Sequence, residues 1–165
     1  MYQDTIIKKY IDLISATNKE IKMFYQGDPV KIPNSALPCC IISKRATAVG
    51  QITNSQDEHE VGLNITIVTD IREELSTDND GANLAPGIAK LYELVEGRDA
   101  NYKLKADSIL NILRTNQLVD SANNLRTDLK TTTRIDYGQT LRQRNPAMWS
   151  VEARVEIIVN FIQIR

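Results

Sequence analysis

The sequence predicts an α+β domain: an antiparallel, partly mixed β-sheet with two or three helices packed on one face, the N-terminal helix first and a long C-terminal strand last. Three observations predict it. Apolar residues recur at helical spacing near the N-terminus and again over 84–95. Val61, Leu63, Ile65 and Ile67 alternate with Gly62, Asn64 and Thr66, a strand period. Val151, Ala153, Val155, Ile157, Val159 and Phe161 occupy every second position near the C-terminal end. Helices and strands come in groups, which argues against a doubly wound parallel sheet.

The 165 residues fit one domain, 1–165. A domain of this size buries about 70% of the surface of its unfolded chain, so it needs no disulfide or metal staple. Hydrophobic residues make up 42% and charged residues 25%, an ordinary globular balance. Lys plus Arg number 20 against 21 Asp plus Glu, a formal net charge of −1, so whole-surface attraction to nucleic acid or anionic membrane is not expected, while local basic patches stay open.

Along the chain, Ile6, Ile7, Tyr10, Ile11 and Ile14 form one helical stripe, with Asp4 as the expected N-cap and an end near Ser15–Asn18. Ile21–Tyr25 reads as a strand running into the Gly27-Asp28-Pro29 turn. Pro33 and Pro38 bracket a loop, and Cys39–Ser43 reads as a short buried strand. Residues 44–60 are polar with little period and read as a long loop or an extended hairpin tip. Val61–Thr69 is a strand, and 76–83 a loop rich in Asp, Asn and Gly. A second helix follows, capped by Asn83, with Pro86 in its first turn and Gly97 at its end. Ala106, Ile109, Leu110 and Leu113 predict a short third helix, and Asp120–Asn124 a loop. Leu129–Tyr137 and the segment from Val151 are the closing strands, joined through Gln139–Pro146. The last one reaches roughly 15 residues, about 50 Å at the usual rise, long against a radius of gyration of about 15 Å. Such a strand bends sharply or projects into a neighbouring subunit.

Few residues promise chemistry. The lone histidine, His59, sits in Asp57-Glu58-His59-Glu60 without further ligands at metal spacing, and reads as part of a solvated loop. No G-x-S-x-G accompanies it, and Cys39 and Cys40 lack the surroundings of a nucleophile. As neighbours these cysteines point to opposite faces of a strand and read as reduced, partly buried thiols. The seven glycines are dispersed and form no phosphate-binding loop. No catalytic residue, cofactor or metal is expected. Two basic clusters, Lys44-Arg45 and Arg142-x-Arg144, read as solvated charge or as contacts to an acidic partner or to passing DNA, directed at the backbone. Trp149 is open between core and interface. No leader peptide is expected from Met1–Tyr10, and no apolar run is long enough for a membrane helix.

The chain resembles a known family in its element order and several short matches. An amphipathic helix leads to a strand, then Gly27-Asp28-Pro29, Ile32-Pro33 and Leu37-Pro38-Cys39-Cys40-Ile41-Ile42. Val68-Thr69-Asp70-Ile71-Arg72 ends a strand, and Ser150–Ile157 lies near the C-terminal end. This pattern is similar to the tail terminator (tail completion) proteins of tailed bacteriophages and, more broadly, to neck proteins of the head–tail junction. The resemblance implies a structural protein of the virion tail or neck, assembled in the host cytoplasm, that is not an enzyme. It implies a homo-hexameric ring capping the tail tube, with double-stranded DNA passing non-specifically through the lumen. Implied partners are the tail tube protein, a neck or head-completion protein and a sheath protein, with no membrane. Lys44, Arg45, Arg142, Arg144 and Trp149 are the candidate interface or lumen contacts. Two alternatives stay open: an adaptor subunit of another neck or injection machine, and a small α+β enzyme or ligand-binding protein.

Overall fold

The computed structural model describes residues 2–71, 86–115, 125–126, 134–145 and 148–164. It is an α+β fold in which helices α1 (Tyr2–Thr17), α2 (Pro86–Glu96) and α3 (Ile109–Thr115) cover one face of a mixed sheet. The strands are β1 (Met23–Gln26), β2 (Cys39–Thr53), β3 (Gln56–Asp70), β4 (Leu125–Arg126), β5 (Arg134–Asn145) and β6 (Met148–Ile164). Their order is β1-β2-β3-β6-β4, with β5 also paired to β6. β1 runs parallel to β2, and the other pairings are antiparallel.

The stripe predicted for α1 is buried as Ile6, Ile7, Tyr10 and Ile14. The helix already includes Asp4, so this residue lies in the first turn instead of capping it. Asn18 ends the helix. Its N–H donates to Ile14 O at 2.7 Å, and its Oδ1 accepts from Glu20 N and Ile21 N at 3.0 and 3.2 Å. Its Nδ2 donates to Asp107 O at 2.8 Å, which ties α1 to the turn before α3. Ile21 is buried just ahead of β1, so the first strand lies two residues later than the apolar run predicts.

Pleat alternation divides the sheet's side chains between two cores. Cys40 and Ile42, the odd-numbered apolar residues of β3, and Val151 through Val159 at every second position face the helices. Cys39, Ile41 and Val68 face the other way, where Ile32, Ala36 and Leu37 cover them. Those three belong to a connection that includes a short 3₁₀ turn, Asn34–Ala36, and a cis Leu37–Pro38 peptide. The adjacent thiols therefore sit in different cores, both free and buried.

Of the two readings open for residues 44–60, a long loop or an extended hairpin tip, the structure takes the hairpin, and the connector expected over 139–146 is strand through Asn145. Residues 44–60, polar and without clear period, are the far halves of β2 and β3, joined by a tight turn at Asn54-Ser55. Cross-strand hydrogen bonding on both sides of β3 sets the conformation there, so a polar run remains extended. Gln139–Asn145 likewise continues β5, held by pairing to β6. The expected cap Asn83 and the loops 76–83 and 120–124 lie outside the described residues, as does the predicted start of the penultimate strand, 129–133.

Pro86 opens α2, where the missing N–H loses no helical bond. Gly97 ends it: its N–H donates to Glu93 O at 2.9 Å, and an added β-carbon would stand 2.4 Å from that oxygen. A tight loop to α3 then pairs Arg98 with Leu104, with the Asp99 carboxylate accepting from Asn101 N and Lys103 N. Ile109, Leu110, Ile112 and Leu113 bury the face of α3.

Candidate assembly surface

β2 and β3 each run 15 residues and β6 runs 17, about 50–55 Å at the usual rise. β3 pairs with β2 from Cys39↔Val68 to Thr53↔Gln56, and with β6 from Asp70↔Ser150 to Gln56↔Ile164. On the helix side the buried apolar ladder reaches Val61 on β3 and Val159 on β6, and His59, next along β3, is half-buried. Beyond it the strands form an arm whose β2 residues are almost all exposed, among them Val49 at 59% and Ile52 at 47%. β1 covers the outer edge of β2 only along Cys39–Ile42. Among the described residues no strand lies beside that edge from Ala46 to Thr53.

Charge along the arm is polarised. Lys44 and Arg45 lie at its base, where the pairing slips between Lys44 and Ala46. Arg45 Nη1 stands 3.5 Å from Glu156 Oε2 on β6. Toward the tip β3 carries Asp57, Glu58 and Glu60, the last two exposed. The sheet face away from the helices continues the mixture: Glu156 lies opposite Arg134, and Arg154 opposite Asp136. Arg134 also pairs with Asp136 along its own strand at 3.0 Å.

The predicted contacts fall at two places. Lys44 lies opposite Leu63, which lies opposite Ile157, whereas Arg142 is paired to Ser150. The two clusters are thus seven residues apart along β6, roughly 23 Å at the usual strand rise. One small partner group does not span both. Arg144 lies in β5 at a register irregularity between Gln143 and Asn145, and Trp149 in β6 is paired to Gln143. The side chains of Arg142, Arg144 and Trp149 are outside the described part.

His59 is not in a solvated loop. It is half-buried in β3, between Val49 and Phe161. No group of three or more metal-ligating side chains occurs among the described residues. The Cys40 thiol is pushed well up by burial first and by neighbouring Cys39 second, the reverse of what activates a nucleophile. A shallow, open cleft lies between the end of α2 and the following loop, lined by Tyr92, Glu93, Glu96 and Lys105. There Lys105 Nζ donates to Glu93 Oε1 at 2.5 Å, and that bond holds the Glu93 carboxyl below the ordinary glutamate range. No helix among the described residues is long and apolar enough to cross a membrane.

Sequence reasoning missed the bare edge of β2. Its signal was present: Ala46-Thr47-Ala48-Val49-Gly50-Gln51-Ile52-Thr53 has no charge and no proline. The fold defines an α+β protein whose most distinctive surface, among the described residues, is the long β2–β3 hairpin with its uncovered β2 edge. No family model matches the chain, and no curated protein matches it.

Proposed function

We propose that this chain is a structural subunit of a phage tail or neck, most specifically a tail terminator. In this reading copies of it form a ring that caps the tail tube, meets the neck, and lets DNA pass through its lumen. The observation that carries the reading is the arm. β2, β3 and β6 run on beyond Val61 and Val159, and among the described residues no strand pairs with the outer edge of β2 there, so that edge offers a surface for a neighbour to complete. A ring needs non-identical complementary surfaces on each subunit, and the outer edge of β2 on one side of the sheet with β4 and β5 on the other supplies them. The resemblance in element order and short matches adds the tail context. The function rests on shape and association, with no catalytic step and no cofactor.

Electron microscopy of tails assembled without this chain tests the proposal. Tubes of irregular, excessive length or tails unjoined to heads are expected. Tails of normal length, joined to heads, refute it. Truncation after Val159 removes the β6 residues paired to Gln56–Glu60. It should abolish ring formation on the tube while the helix-side core still folds.

A further inference from the structure

We propose that, away from any assembly, two copies of this chain pair through the outer edges of their β2 arms around a two-fold axis near Ala48. The inference goes beyond the ring reading and does not depend on it.

Exposed edge strands are normally guarded by charge, proline or a bulge, because bare N–H and C=O groups recruit further strands. Residues 46–53 carry neither charge nor proline and expose Val49 and Ile52. The bulge at Arg45 lies at the base and leaves the edge beyond it straight up to the irregularity at Gln51/Thr53. Among the described residues no strand covers this edge, which makes it a template for a further strand.

The charge polarity of the arm selects the occupant. Its base is positive, through Lys44 and Arg45, and its tip is negative, through Asp57 and Glu58. Antiparallel pairing of two identical arms sets each base beside the other's tip. With Ala48 opposite Ala48 of the second copy, Thr47 faces Val49 on the helix side and Ala46 faces Gly50 on the other. The bulge then lets Lys44 come opposite Gln51 of the second copy, whose β3 neighbour is Asp57. On the other face only Ala46 and Gly50 lie between Arg45 and Glu58 of the second copy, the β3 neighbour of Gly50. No bulky side chain blocks that path. Arg45 is about half exposed (46%) and its 3.5 Å contact with Glu156 lies toward β6, so in the dimer its guanidinium swings outward, exchanging Glu156 for Glu58 of the second copy. The two β3 strands stand three strand spacings apart, about 14 Å, so their like charges are screened at physiological salt. The pairing is closed: it consumes both bare edges and does not propagate.

The test uses the full chain. Sedimentation should show a dimer that weakens as salt rises. Ala48→Cys places two thiols at the axis, and diamide, accepting two electrons and two protons, should link them into a covalent dimer. Cys39 and Cys40 are buried and do not compete. Arg45→Glu and Glu58→Arg should each raise the dimer dissociation constant at least about tenfold. An equimolar mixture of the two variants should restore dimerisation, because both contacts in the mixed pair then join opposite charges. Circular dichroism confirms that each variant is folded. A protein that is monomeric up to about 100 µM, a range that detects weak dimers, overturns the proposal. So does a mixture no tighter than its components. A hexamer in which the introduced thiols stay unlinked also overturns it, while leaving the ring reading intact; so does a β2 edge that pairs only with another protein's strand.

Discussion

Gly62 leaves the space that the Arg45 side chain fills: a β-carbon built on Gly62 would stand 3.2 Å from Arg45 Nε. The contact joins β3 to the bulge of β2 and orients a guanidinium toward β6. Because the crowded atom belongs to the far end of a flexible side chain, Gly62→Ala should change stability by less than about 1 kcal/mol. It should nevertheless uncouple Arg45 from Glu156. A double-mutant cycle on Arg45 and Glu156 measures this: coupling present with Gly62 should vanish with alanine. Gly62→Val, with more bulk to place, should cost about 1–3 kcal/mol.

Two adjacent isoleucines of β6 should behave differently. Ile157 faces the helices and is 3% exposed, while Ile158 faces away and is 37% exposed. Ile157→Ala should cost about 2–5 kcal/mol through lost burial and a residual cavity. Ile158→Ala should cost less than about 1 kcal/mol. Urea titration of both variants checks the register, since a slip of one residue exchanges the two results.

Asn18 joins the end of α1 to the strand that follows and to the turn before α3. Its side chain is buried and makes three hydrogen bonds to backbone groups. Asn18→Ala should destabilise by about 1–3 kcal/mol, because buried N–H and C=O groups lose their partner. Asn18→Asp retains the acceptor toward Glu20 N and Ile21 N but loses the donor to Asp107 O. Denaturant midpoints should therefore rank it between alanine and wild type near neutral pH.

Tyr137 gives a pH dependence in alkali. Its ring meets Tyr92 edge to face, with centroids 4.7 Å apart. Burial first, and the negative charge of Glu96 second, push its hydroxyl well above the ordinary tyrosine range. The folded state thus keeps this proton to higher pH than the unfolded state does. The contribution is complete below about pH 10, the unfolded value, and is lost as pH rises toward the folded one. Tyr137→Phe keeps the ring contact and removes the titration. Stability of wild type relative to this variant should therefore fall from about pH 10 upward. A difference that stays constant across that range counts against the buried hydroxyl.

The fold class and most of the core were legible because apolar side chains repeat with the period of the element that buries them. Ile6 to Ile14, Val61 to Ile67 and Val151 to Val159 each name their own inward face. The assembly surface was less legible. Residues 44–60 carry no apolar alternation, most of their β2 side chains being exposed, so composition alone left a long loop and an extended hairpin tip both open. Lys44-Arg45 and Arg142-x-Arg144 look equivalent in the sequence, and only the ladder of β6 shows that they stand at different heights along the sheet.

The sequence by itself determined an α+β domain with a helix-covered sheet, two partly buried thiols on opposite strand faces and an overlong final strand. Local periodicity suffices for those, because burial acts on each side chain through its own element. The tertiary structure decided between loop and hairpin for residues 44–60 in favour of the hairpin, paired β6 along the whole of β3, and left the uncharged segment 46–53 of β2 without a strand beside it among the described residues. Pairing between strands distant in the chain stabilises an extended backbone without any apolar pattern, and no single segment records it.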